Sequence, residues 1–191
     1  MLFRSWKVCT SPTPNLSNTG ANTFLRYSAS PVFNLLPGFY SGTQQIQITT
    51  SEPNSTIRFT TDGTEPTASS TPYIGPISIS ATSVLKAASF SSDPNITTGF
   101  VNFSTYFINV SHSIPVVSIA ANQLTTLANG NGNLVPFGSF EYFNMNKQRT
   151  TTGYGEFNRH GQDSWANDQR SIDYVMYDEL GYNYALQEQF F

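Results

Sequence analysis

The segment from Ile57 to Thr67 constrains the fold more than any other part of the chain, because an alternating strand in it runs directly into a turn. Apolar and polar residues alternate up to Thr61, which places Ile57 and Phe59 on one face of the strand. Asp62-Gly63 follows at once, and this pair supplies the positive backbone angles that a tight reversal requires. The pattern therefore predicts a half-buried antiparallel strand in a small all-β domain.

Short alternating strands separated by turn signals continue from Pro31 to Asn109. Turns are predicted at Glu52-Pro53-Asn54 and at Asp93-Pro94-Asn95. In the strand between them that begins at Val84, Leu85 and Ala87 lie on the core side and Lys86 lies on the other. Six or seven strands in roughly 80 residues predict an immunoglobulin-like or fibronectin-like antiparallel β-sandwich.

The composition excludes several classes of partner. Charged residues make up only 11% of the 191 residues and aromatic residues make up 14%, and Ser, Thr, Asn and Gly supply most of the polar surface. This is typical of β-rich extracellular modules and differs from disordered chains, which have few aromatics. A net charge of −3 predicts no nucleic-acid partner, and no apolar run is long enough to span a membrane. The single Cys9 predicts neither a disulfide framework nor a thiolate metal site.

Three parts are predicted along the chain. Residues 1–29, rich in Ser, Thr, Asn and Pro, are expected to be a linker or a disordered N-terminus, and residues 30–110 are expected to form the sandwich. Residues 114–191 carry more charge and are expected to be the N-terminal part of a truncated domain, with a short helical turn capped by Asn122. The predicted fold class is mainly β, a sandwich followed by a partial mixed β (α+β) domain.

Both ends of the chain are expected to be cut. Residues 1–5, MLFRS, resemble the translation of a common sequencing-adapter tail, so we expect them to be non-native. No signal peptide is present in this piece, and export would require one upstream. The expected location is outside the cell, either secreted or at the cell surface.

Four motifs between Pro31 and Asn109 resemble the C-terminal β-sandwich module of chitobiase and hexosaminidase enzymes, also called a fibronectin type III-associated module. The motifs, in chain order, are Gly38-Phe39-Tyr40, the segment from Ile57 to Pro66, Tyr73-Ile74-Gly75-Pro76-Ile77, and Leu85-Lys86-Ala87. The resemblance implies a non-catalytic sandwich that accompanies carbohydrate-active domains.

The segment from Ile114 onward resembles the opening of a CotH-like domain, the family of spore-coat and secreted atypical protein kinases. The motifs are Ile114-Pro115-Val116-Val117-Ser118-Ile119, the segment from Gly155 to Ala166, the segment from Gln169 to Tyr174, and the segment from Asp178 to Tyr184. The resemblance implies a kinase-related fold whose metal-binding and catalytic acidic residues lie further along. ATP and a divalent metal are therefore expected only for a complete active kinase, and no cofactor is expected in this piece.

Four residues are candidates for ligand binding, and none is assigned a catalytic or metal-binding role. Arg170 and His160 could contact a phosphate together with the Gly155 and Gly161 backbone, although a hydrogen bond in a tight turn explains His160 as well. Residues 153–155 also invite comparison with a glycine-rich phosphate loop. Trp165 and Tyr154 together with Tyr174, or else Tyr40 and Tyr73, could form an aromatic platform for a sugar ring, and packing in a core is the alternative. Recurring aspartates at positions 163, 168 and 173 do not follow a calcium-loop pattern and suit a solvated face.

Three functions are compatible with these features. The favoured one is a non-catalytic spacer or binding module of a secreted or cell-surface multi-module protein, joined to the CotH-like domain. The second is the N-terminal fragment of a CotH-type atypical kinase, and the third is a carbohydrate-binding accessory module of a glycoside hydrolase. The expected partners are polysaccharide or cell-surface components and the adjacent domains of the same chain.

Overall fold

The computed structural model describes residues 6–8, 22–161 and 170–176, and its regular structure is almost entirely β. Within these ranges no helix is long and apolar enough to cross a membrane. The elements are β1 (Trp6–Val8), β2 (Asn22–Phe24), β3 (Arg26–Tyr27), β4 (Val32–Phe33), β5 (Gly38–Tyr40), β6 (Gln44–Ile46), β7 (Ile48–Thr49), β8 (Ser55–Thr60), β9 (Thr71–Pro72), β10 (Ile77–Ile79), β11 (Ser83–Ser91), β12 (Ile96–Thr97), β13 (Asn102–Ile108), β14 (Val116–Ala121), α1 (Leu124–Ala128), β15 (Phe137–Phe143), β16 (Arg149–Arg159) and β17 (Ile172–Met176).

The segment that dominates the sequence pattern forms β8 and the turn after it. Ile57 and Phe59 pack against the core, as the alternation predicts. The Asp62 carboxylate accepts hydrogen bonds from the backbone N–H (3.0 Å) and the hydroxyl (2.6 Å) of Thr64, while Gly63 adopts a φ of +79°. The reversal is wider than a two-residue hairpin, because β8 ends at Thr60 and its antiparallel partner β9 begins at Thr71. The Gly63 N–H donates to the Val84 carbonyl and holds the turn against β11.

The sandwich is built on a five-stranded sheet in the order β5-β13-β11-β8-β9. The pairs β6–β10 and β4–β7 cover one face of this sheet. Their buried side chains form one core with those of β11 and β13, and its members are Ile46, Ile48, Ile79, Leu85, Ala87, Tyr106 and Ile108. The predicted mainly-β sandwich is therefore confirmed. One edge of the sheet is parallel, because β5 pairs with β13 in that direction.

Residues 25–29 are attached to the sandwich, so the predicted linker is wrong for this stretch. The strand β3 pairs with β12, and the Leu25 N–H donates to the Asn95 carbonyl at 2.8 Å. Arg26 forms a two-pronged ion pair with Glu52 at 2.6 and 2.7 Å. The Glu52 carboxylate also accepts a hydrogen bond from the Ala29 N–H at 2.9 Å. A Ser- and Asn-rich composition did not reveal these contacts because most of them use the backbone.

After β13 the chain enters a second sheet, which we call the distal sheet, with the antiparallel order β14-β15-β16-β17. The described part is thus an antiparallel meander with one short helix. Asn122 does not cap that helix. Gln123 precedes α1 in a left-handed conformation, and no side chain caps the helix. The Asn122 side-chain amide oxygen (Oδ1) instead accepts a hydrogen bond from the Glu65 backbone N–H at 2.7 Å.

The distal sheet packs on the face of the five-stranded sheet that points away from the sandwich core. For this reason β11 and β13 are buried on both faces. Leu85 and Ala87 point into the core, and Lys86 and Ala88 point the other way, yet all four are fully buried. The molecule therefore has three β layers, and we call the contact between the five-stranded sheet and the distal sheet the junction.

Candidate functional site

A buried lysine stands at the centre of the junction. Lys86 projects from the middle of β11 and its side chain has no exposed surface. Its ammonium group donates to the Glu65 carboxylate at 2.5 Å and to the Ala120 carbonyl at 2.8 Å. The same group lies 5.3 Å from the centre of the Tyr154 ring, within cation–π range. One side chain of the sandwich thus contacts both β14 and β16 of the distal sheet.

The electrostatics of this cluster reflect its burial. Desolvation lowers the pKa of Lys86, because burial disfavours the charged form, and the nearby Glu65 carboxylate opposes that effect. The other Glu65 oxygen accepts a hydrogen bond from the Tyr154 hydroxyl. A desolvated lysine can act as a nucleophile, but Lys86 is enclosed and already bonded on several sides. The geometry therefore supports a clamp between layers and not a reaction centre.

A second polar cluster crosses the junction around Glu141 of β15, whose side chain is 1% exposed. Its carboxylate accepts hydrogen bonds from the Thr105 hydroxyl and, at 2.8 Å, from the Arg149 guanidinium. Thr105 also bonds the Ser118 hydroxyl at 2.7 Å, and Arg149 donates to the Phe103 carbonyl at 3.1 Å. A buried carboxylate is expensive unless such donors surround it, and here they come from both layers.

Stacked aromatic rings supply the apolar part of the junction. The Phe39 and Phe107 rings of the sandwich stack with their centres 4.3 Å apart. Each forms a T-shaped contact with the Phe143 ring of the distal sheet, with ring centres 5.9 and 5.1 Å apart. Such pairs contribute about 0.5–1.5 kcal/mol each beyond the area they bury. Apolar packing and directional polar bonds therefore act on the same interface.

Two clefts open beside the junction, and Arg149 lines both. The larger, of about 470 Å³, lies between residues 36–40 of the sandwich and Lys147, Gln148 and Arg149 of the distal sheet. We call it the junction cleft. The smaller, of about 350 Å³, lies between residues 30–32 and 100–103 of the sandwich and residues 149, 152 and 153 of β16. Both volumes fall in the range of small-molecule sites.

The sequence-predicted sugar platform does not form around Tyr154. The Tyr154 side chain is 2% exposed, because it packs in the junction against Phe103 and Phe137. A sugar ring could reach it only if the layers separated, so the prediction is corrected to a packing role for this residue. Trp165, the other predicted platform residue, lies outside the described residues, as do Asp163 and Asp168.

The predicted phosphate contacts have structural partners. His160 pairs with Asp173 through an Nδ1···Oδ1 contact of 2.7 Å on the surface of β16 and β17. Arg170 donates to the Ala128 carbonyl at 3.3 Å, at the C-terminal end of α1. Gly153 and Gly155 lie inside β16 and not in a loop, so the comparison with a glycine-rich phosphate loop is wrong.

Sequence reasoning missed the residues that form the junction. Lys86 was placed on the correct face, but nothing in its own strand showed that another sheet covers that face. One signal was present: Val84 and Ala88 flank Lys86 on the same face, where a solvated strand would carry polar residues. An apolar outer face around a single charge is the pattern expected for a covered sheet.

Comparison with known proteins defines the sandwich. Residues 35–99 match the family model of the chitobiase/beta-hexosaminidase C-terminal domain. The resemblance predicted from the four motifs is therefore confirmed for this stretch. An endoglucanase from Clostridium saccharobutylicum is 47% identical over 51 residues, which make up 27% of this chain and 11% of that protein. The chain thus covers a small fraction of that relative's length. No solved structure gives a significant match.

Proposed function

We propose that this chain is a non-catalytic β-sandwich module of a secreted or cell-surface multi-module protein, and that it holds the following sheet in a fixed orientation. The single observation behind this proposal is the junction. The outer face of the sandwich is occupied by the distal sheet through the Lys86 and Glu141 clusters. A face covered in this way cannot bind another partner. The hydrogen bonds between the two sheets are directional, so they hold the distal sheet in one orientation.

The proposed setting rests on composition and on the relative. Few charged residues and a surface rich in Ser, Thr and Asn suit an extracellular module. The matched part of the endoglucanase is only 11% of that protein, so there a similar segment is one part of a much longer chain.

Calorimetry of the complete chain tests the spacer role. A sandwich and a distal sheet that are rigidly coupled should unfold in one transition, with a calorimetric enthalpy equal to the van't Hoff enthalpy. Two separate transitions in the wild-type chain would show that the two parts move and unfold independently, and the spacer proposal would then be wrong.

Polysaccharide binding is the second candidate function, and the family match favours it. Modules similar to residues 35–99 are named for chitobiase and hexosaminidase, and the similar relative is an endoglucanase. Sedimentation of the complete chain with insoluble chitin and cellulose tests this role. A soluble protein of similar size and net charge is the control, and equal loss of both proteins from the supernatant would argue against specific binding.

The opening of a CotH-like domain in the distal sheet stays a prediction, and so does the kinase alternative that depends on it. Arg170, the residue proposed for phosphate contact, already donates to the end of α1. A phosphate would have to compete with that bond or use the other guanidinium donors. The gene sequence that follows Phe191 tests the kinase alternative, because metal-binding aspartates encoded there would favour it.

A further inference from the structure

The junction cleft combines surfaces that neither layer has alone. Residues 36–40 form its sandwich wall, and Lys147, Gln148 and Arg149 form the wall from the distal sheet. Leu36 is 77% exposed and lies on the rim. Ligand sites occur preferentially where two structural units meet, with apolar walls and a few polar groups that fix orientation.

The sandwich wall offers an apolar platform with one polar end. The Tyr40 ring is half-buried against Tyr106, with ring centres 6.2 Å apart, which holds it in place. Its hydroxyl donates to the Leu36 carbonyl at 2.6 Å, so the hydroxyl oxygen keeps its capacity to accept a hydrogen bond. A fixed ring beside proline and leucine side chains can contact the C–H face of a pyranose with little loss of entropy.

The opposite wall offers several hydrogen-bond donors, and one of its two cations is paired with a carboxylate. Lys147 donates to the Ser111 hydroxyl at 2.9 Å and lies 5.5 Å from the centre of the Phe39 ring. Arg149 is neutralised by Glu141 at 2.8 Å. Gln148 is exposed, and its side-chain amide provides both donors and an acceptor. Lys147 already donates to a neutral hydroxyl, as it would to a sugar hydroxyl. The pairing of Arg149 leaves this wall with one cation fewer for an anion, which binds most strongly to unpaired cations.

We infer that the junction cleft binds a unit of a neutral pyranose polysaccharide, with the ring on the wall of residues 36–40 and its hydroxyl groups on Gln148 and Lys147. The inference rests on the polysaccharide-binding role proposed above and gives that role a location. Because Arg149 also lines the second cleft, a longer glycan has a continuation beside the same strand. Sites of this kind depend on both walls, and the fixed junction keeps the walls in register.

Titration of the complete chain with cellohexaose and with chitohexaose tests the inference. Binding is followed by calorimetry and by NMR, in which the largest shifts are expected at residues 36–40 and 147–149. The cleft variant combines Leu36→Ser with Gln148→Ala, which removes apolar contact and the amide without touching the core. We expect its affinity to fall at least about tenfold, the equivalent of one lost interaction of about 1.4 kcal/mol.

A matched variant controls for surface composition. Ile74→Ser with Gln47→Ala makes the same two chemical changes at exposed positions outside both clefts, and it should bind like the wild type. If the wild type binds and the cleft variant binds equally well, the location is wrong and the polysaccharide role stands. If the wild type binds neither oligosaccharide, the polysaccharide role itself fails. NMR shifts that map elsewhere overturn the location even if the cleft variant is poorly folded.

Discussion

Replacement of Lys86 by methionine removes the central clamp while keeping most of the side-chain volume. Breaking one half of a buried ion pair costs about 3–5 kcal/mol, because the remaining charge is left uncompensated. Here the cost should be lower, about 2–3 kcal/mol, for two structural reasons. The Glu65 side chain is 24% exposed and keeps its bond to the Tyr154 hydroxyl, and the Ala120 carbonyl keeps a hydrogen bond from Ser139 at 3.3 Å.

The assay is urea unfolding followed by far-UV circular dichroism, with the free energy of unfolding compared at constant slope. Glu65→Gln is added to complete a double-mutant cycle, since it removes the charge that Lys86→Met leaves behind. We expect a coupling free energy of about 1–2 kcal/mol. Arg159→Met, at an exposed position of β16, is the matched control and should change stability by less than about 0.5 kcal/mol. A loss below about 1 kcal/mol for Lys86→Met, or additive effects in the cycle, would refute the reasoning.

Three further predictions concern other parts of the chain. The hydrogen bond from the Arg26 side chain lowers the pKa of Glu52 to about 2 from 4.5. The stabilisation from the ionised Glu52 is therefore complete above pH 4.5 and is lost as the pH falls towards 2. In Glu52→Gln the free energy of unfolding should change less with pH over this range. Gly63→Ala should lower the free energy of unfolding by about 1–3 kcal/mol. The new Cβ would lie 2.7 Å from the Ala120 Cβ, and the backbone there has a φ of +79°. Gly42→Ala, which has a similar φ but open space around the Cβ, should cost less in the same urea assay. Residues 22–110 expressed alone should melt cooperatively in calorimetry, and a broad, non-cooperative melt would contradict an independent sandwich core.

Local patterns were sufficient to predict the strands of the sandwich but not their surroundings. Alternation predicted that Ile57, Phe59 and Leu85 face the core, because the two-residue period of side-chain direction is a property of the strand itself. The parallel pairings of β3 with β12 and of β5 with β13 could not be predicted, since strands of two or three residues have no measurable period. The sequence left Tyr154 open between a sugar platform and core packing, because its burial depends on β11 and β13, which lie far away in the sequence.

Directional bonds in the junction have a consequence for the proposed binding site. Buried ion pairs contribute little net stability compared with apolar packing of the same volume, so the Lys86 and Glu141 clusters are poorly explained by stability alone. What they supply is geometry: Glu141 binds Arg149, and Arg149 lines both clefts. The stacked rings of Phe39 and Phe107 tolerate small shifts, whereas a charged hydrogen bond does not. A cleft formed by two layers is only as well defined as their relative orientation, and these polar contacts fix that orientation.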